Sequence, residues 1–220
     1  YSEKDYKLVN NMFSRGRGQG EFILCWDLQC VDSLVWLFDL QLGRISSYAT
    51  ADFIAAAHPA QLQTVTFDAM GVTLAQKMND GKFVASSLRE DELFTFYRAD
   101  GGRDTLSTGK APYPFRFQGI DDTSLIVKKR IFEYRLKYNG HNDQFVVSYC
   151  LNNLFEIYNS DGSLHKRIIA PYPYLVDTNH LSADKLGVPI AELIFTFKDF
   201  CLTDDRIFLL YNGSSPAGMI

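Results

Sequence analysis

The stretch DQFVVSYCLNNLFEIYNSDGSLHKRIIAPYPY, Asp143 to Tyr174, decides how this chain folds. A run of β-branched and aromatic residues is followed by a gap, a second such run, an Asp-Gly pair and a third run. Runs of this composition between turn residues predict strands. Asp161-Gly162 predicts a tight hairpin, because such turns need positive φ and glycine adopts it without a Cβ clash.

The same grammar occurs earlier, in GKFVASSLREDELFTFYRADGGRDTLSTGKAPYPF, Gly81 to Phe115. Phe83-Val84 matches Phe145-Val146, and Leu93-Phe94 matches Leu154-Phe155. Tyr97 with Asp100-Gly101 matches Tyr158 with Asp161-Gly162, and Ala111-Pro-Tyr-Pro matches Ala170-Pro-Tyr-Pro, about 60 residues apart throughout. Weaker copies flank the pair, at Glu21 to Tyr48 and Lys198 to Ser215, giving about four units with the last cut short. Antiparallel units at this kind of period predict an all-β protein, a β-propeller whose blades cover one another's faces. Helix is confined to connections: Thr50 to His58, capped by Thr50 or Asp52 and stopped by Pro59, and Ser182 to Leu186. No Pro/Gly/Ser-rich linker interrupts the chain, so residues 1–220 read as a single β-propeller domain.

With 46% hydrophobic residues, the 220-residue chain has material for a sizeable core. Its 22 Lys+Arg and 26 Asp+Glu give a formal charge of −4, scattered singly, which argues against a nucleic-acid partner. No apolar run approaches the ~18 residues of a membrane span, and the N-terminus lacks the pattern of a signal peptide. The four cysteines form no CxxC, and no His lies at zinc-ligand spacing. Cys150 and Cys201 fall in apolar strand patterns and read as buried thiols.

Few residues advertise chemistry. Gly16-Arg17-Gly18-Gln19-Gly20 invites comparison with a phosphate loop, but a dinucleotide fingerprint needs GxGxxG running into a helix. Here a strand over Glu21 to Trp26 is expected to follow, so the segment reads as an inter-blade turn. Arg15 and Arg17 are its candidate anion-binding residues. Pro112-Tyr113-Pro114 and Pro171-Tyr172-Pro173 belong on outer edges or connections, because proline cannot donate to a sheet. That sets Tyr113 and Tyr172 along one face between blades; packing is preferred there, with ligand contact the alternative. The four histidines are isolated, and no HExxH, GxSxG or Cys-His pairing supplies a nucleophile with a base. No catalytic residue and no metal ligand is assigned. Asp121-Asp122 and Asp204-Asp205 read as solvated turn residues, and Asn212-Gly213 as a hairpin turn.

Gly16-Arg17-Gly18-Gln19-Gly20-Glu21-Phe22, with Leu37-Phe38-Asp39 and Arg44-Ile45 downstream, resembles the opening blade of TolB-like six-bladed β-propellers. Gln19 stands where that pattern has proline, and IYNSDGSLHKRI, APYPY and DDRIFLLYNG are similar to later blades. The resemblance implies a Bacteroides-type cell-envelope or periplasmic protein, often a lipoprotein. About four units against six implies a chain that covers part of a larger ring, with a smaller closed ring the alternative. It also implies a non-enzymatic role, binding a protein, peptide or glycan through loops on one face. The alternative is a calcium-dependent propeller hydrolase or lactonase with its site in the central channel. Oxygen ligands drawn from several blades leave no local signature, so calcium stays open as a cofactor.

Overall fold

The structure is a computed structural model and describes residues 12–68, 71–87, 92–105, 129, 132–151, 153–169 and 197–211. Tyr113, Tyr172, Asp121-Asp122, Asn212-Gly213 and the segment 182–186 lie outside the described residues.

The described chain is all-β. The first blade is a four-stranded meander of β1 (Cys25–Val31), β2 (Leu34–Asp39), β3 (Arg44–Ala49) and β4 (Gln61–Thr66). The second contains β5 (Val72–Lys77), β6 (Phe83–Ser87) and β7 (Thr95–Tyr97). The third again has four strands, β8 (Tyr134–Asn139), β9 (Gln144–Tyr149), β10 (Leu154–Asn159) and β11 (Leu164–Ile169). The fourth shows β12 (Phe197–Leu202) and β13 (Ile207–Tyr211). All pairings are antiparallel between consecutive strands. The first strands adjoin in series, β1 against β5, β5 against β8 and β8 against β12. Among the described residues this arc of blades does not close on itself.

The repeat read from the sequence holds at the level of register. Phe83 faces Tyr97 across the second blade as Phe145 faces Tyr158 across the third. Gly101 and Gly162 take φ of 89° and 86°, and each donates its amide over 2.9 Å to the carbonyl that opens its turn, Arg98 or Asn159. The Asp100 and Asp161 carboxylates accept the amides two residues on, at 2.9 and 2.8 Å. Phe94 packs on Phe145 and Tyr158 of the next blade, and Phe155 on Phe197 of its own next blade. The two phenylalanines therefore do the same job one blade apart.

The first unit departs in phase. Val35 pairs with Tyr48, which puts Tyr48 in the position of Tyr97 and Tyr158. The Gly43 turn thus joins second and third strands, whereas Gly101 and Gly162 follow the third. Where the later blades have their Asp-Gly turn, the first blade carries a connection with the helix α1 (Thr50–Ala55). Its N-cap is Ala49 with no side-chain cap, so neither Thr50 nor Asp52 caps it, and it gives way to extended backbone at Ala56, before Pro59.

Side chains alternate between the two faces of each blade, as strand geometry requires. Trp36, Phe38, Ile45 and Val65 meet Phe83, Ala85 and Tyr97 between the first two blades. Val84, Phe94 and Phe96 meet Leu136, Phe145, Val147 and Tyr158 between the second and third. Burying one such side chain is worth about 1.5–3 kcal/mol, so the blades are held chiefly by these seams. Cys150 is buried, and its burial pushes the thiol up to about 12. Cys201 is exposed, because on β12 it alternates with the inward Phe200.

Candidate binding site

The first strands are stitched to one another by side chains reaching for backbone. Gln29 of β1 accepts the Lys77 amide at 2.7 Å and donates to the Lys77 carbonyl at 2.9 Å. Gln76 of β5 accepts the Tyr138 amide at 3.4 Å, and Lys137 of β8 donates to the Phe200 carbonyl at 2.5 Å. By their cross-strand partners, Gln29, Gln76 and Lys137 occupy the same place in three successive blades. Each satisfies or shares a backbone group on the following blade that would otherwise be unpaired toward the channel.

Between these strands lies a cleft of about 280 Å³, lined by Trp26, Asp27, Leu74, Arg135, Leu136, Lys137, Lys198 and Asp199. It draws on all four blades. Asp27 accepts from the Gln76 amide at 2.6 Å and from the Leu28 backbone at 2.9 Å. Burial pushes its carboxyl above the ordinary value, against the pull of those two hydrogen bonds and the nearby Lys137. Lys137 pairs with Asp199 at 3.1 Å. The Arg135 guanidinium lies 5.8 Å from the Trp26 ring centroid, within cation–π range. Trp26 keeps 47% of its surface exposed, so about half of the residue remains open to solvent. The cleft offers an aromatic surface, cations and hydrogen-bond acceptors, several of them fixed by contacts across blades.

Arg15 and Arg17 lie elsewhere, exposed on the loop before the first blade. That loop already holds an anion of its own, the Glu21 carboxylate. Glu21 Oε2 accepts the Gly18 amide at 2.7 Å, and a Cβ on Gly16 would come within 2.0 Å of the same oxygen. Arg44 donates to the carbonyls of Arg17, Gly18 and Glu21 at 3.2, 3.0 and 2.5 Å. Asp39 accepts the amides of Ile23, Gln41 and Leu42 at 2.7, 3.0 and 3.0 Å. This is why the expected strand over Glu21 to Trp26 begins only at Cys25: the amides of Ile23 and Leu24 serve the Asp39 carboxylate instead of a neighbouring strand. Gly16, Gly18, Glu21, Asp39 and Arg44 therefore form a structural clasp. Tyr113 and Tyr172, the remaining candidates, fall outside the described residues. Asp204-Asp205 sits exposed in the β12–β13 turn, as expected. Among the described residues no group of three or more His, Cys, Asp or Glu side chains converges.

Sequence reasoning missed every residue of the cleft, because its charged positions sit on three different blades. One trace was available: Gln29, Gln76 and Lys137 are polar residues at one register position of three first strands.

Meandering blades with their first strands side by side around a polar cleft define a β-propeller protein. The chain belongs to the TolB-like 6-blade propeller-like family, whose model matches residues 1–219. Among solved structures it is similar to a Bacteroides fragilis protein described as exported, at 12% identity and a TM-score of 0.42, over 72% of this chain and 40% of that one. It is also similar to Hsv2 of Kluyveromyces lactis, at 12% identity and a TM-score of 0.35, over 69% of this chain and 39% of that one. A streptogramin B lyase matches at 15% identity and a TM-score of 0.36, over 67% and 41% of the two chains. The chain spans less than half the length of these three structures. No curated protein matches the sequence. Among the described residues no helix is long and apolar enough to cross a membrane.

Proposed function

We propose that this chain is part of a non-enzymatic binding propeller of the cell envelope, taking a protein, peptide or glycan at the face where the first-strand cleft opens. The observation that carries the reading is the cleft itself. Its Asp27 and Lys137 are held in place by Gln76 and Asp199, contacts made across blades, beside an exposed indole. Groups already ordered in this way lose little entropy when a ligand arrives, which is what a receptor site needs. The envelope assignment is supported by membership of the TolB-like family.

Arrays of peptides and glycans, probed with the wild-type protein and with W26A and R135A, test the proposal. The expected result is a set of hits lost in both variants. Hits indifferent to both substitutions would move the site elsewhere, with Arg15 and Arg17 the next positions to substitute. A large rise in melting temperature on adding calcium would favour the hydrolase alternative over binding alone.

A further inference from the structure

We infer that the first-strand cleft takes an acidic saccharide, a sugar ring bearing a carboxylate, with Arg135 and Lys198 meeting the acid and Trp26 the ring. This deepens the binding reading and rests on it. The argument begins with which charges in the cleft are already answered. Lys137 has Asp199 at 3.1 Å, and Asp27 is held by Gln76 at 2.6 Å. Arg135 and Lys198 have no carboxylate partner among the described residues, and both line the cleft. Arg135 is half-buried, with the Trp26 ring as its neighbour at 5.8 Å. A partly desolvated guanidinium without a counter-charge is a standing site for a carboxylate, which it can hold through two parallel hydrogen bonds.

The rest of the lining selects among anions. Trp26, 47% exposed, presents an apolar face with a negative quadrupole, suited to the C–H face of a sugar ring. Asp27 has lone pairs to spare for hydroxyl donors, which a polyhydroxylated ring supplies and a bare carboxylate or phosphate does not. The volume, about 280 Å³, lies just under the roughly 300–1,000 Å³ usual for small-ligand sites. It suits one compact ring better than a length of extended peptide.

The test is titration calorimetry on the intact protein with a panel of uronic- and sialic-acid oligosaccharides, their neutral counterparts, and a hexaglutamate peptide. At least one acidic saccharide is expected to bind, with its neutral counterpart much weaker. R135Q and K198Q should each weaken binding about 10- to 100-fold, the value of one charge-assisted hydrogen bond. Lys198 is exposed, so K198Q keeps the test valid if R135Q fails to fold. Equal binding of neutral sugars, with K198Q silent, overturns the acidic class while leaving the binding reading intact if W26A still abolishes it. Binding of hexaglutamate alone overturns it in favour of acidic peptide. No binding by any probe overturns it outright, and array hits independent of both Trp26 and Arg135 would overturn the cleft as the site and move binding elsewhere.

Discussion

Replacing Glu156 by glutamine removes a buried charge that ties in the third blade's outer strand. Glu156 is fully buried on β10 and accepts the hydroxyls of Tyr149 and Tyr158, each at 2.7 Å, on one oxygen. Its other oxygen accepts Nε and Nη2 of Arg167 at 2.6 Å, from the facing position on β11. Burial, and then the carboxylate, push both phenols well above their ordinary range, so they remain donors throughout the accessible pH range. In E156Q each phenol exchanges a charged acceptor for a neutral group, a loss of about 1 kcal/mol apiece. Arg167 keeps 37% of its side chain in water, so the ion pair itself is held to about 1 kcal/mol at most. The sum is about 3 kcal/mol, or about 6–12 °C in Tm for a protein of this size. E156A, which leaves both phenols without this acceptor, should cost more, about 3–5 kcal/mol. Urea denaturation measures the total. Hydrogen exchange should show residues 164–169 losing protection first, since β11 is largely exposed and Arg167 is its tie inward. The reasoning fails if E156Q lies within about 0.5 kcal/mol of wild type, or costs as much in a Y149F/Y158F background as in the native one.

Two glycines with positive φ should respond differently to alanine. At Gly43, φ is 58° and a Cβ meets nothing within 4 Å, so G43A pays only left-handed strain, about 1 kcal/mol. At Gly101, φ is 89° and a Cβ would come 2.1 Å from the Thr66 carbonyl oxygen, so G101A should cost about 2 kcal/mol or more by urea denaturation. Q29A strips the Lys77 amide and carbonyl of their partner and should cost about 1–3 kcal/mol, seen as lost exchange protection at Lys77. The Ser163 hydroxyl and amide hold the Asp161 carboxyl below its ordinary 3.8, so the folded state binds that proton less readily than the unfolded chain. Its contribution is complete above pH 3.8 and lost as pH falls through the lowered folded value. The Tm advantage of wild type over D161N should therefore shrink in acid, and an advantage that grew there would reverse the sign of this account.

The sequence by itself determined what is local. Runs such as Phe145–Tyr149 and Leu154–Tyr158 became strands because β-branched and aromatic residues suit a pleated, two-sided surface. Asp100-Gly101 and Asp161-Gly162 became matching turns because glycine meets the positive φ while aspartate caps the amide two residues on. The pairing of Phe94 with Phe155 was also legible, since a repeated unit repeats its inter-blade face. The segment Gly16–Gly20 read correctly as a turn, but not as a clasp around Glu21, whose partner Arg44 comes from another strand.

Tertiary structure decided the phase of the first blade and the whole of the cleft. Glu21 to Tyr48 has the same pattern of strands and turns as the later units, yet a pattern of period two looks alike wherever the count begins. Only pairing Val35 with Tyr48 shows which strand is which. The pairs Trp26-Asp27 and Lys198-Asp199 and the single Arg135 form no motif along the chain, because they lie on the first strands of three separate blades. They meet because inter-blade packing sets those strands side by side, and that packing is driven by buried aromatic side chains on other strands. Hydrophobic burial is indifferent to which polar residues it brings together on the channel side, so no local run of residues could announce them.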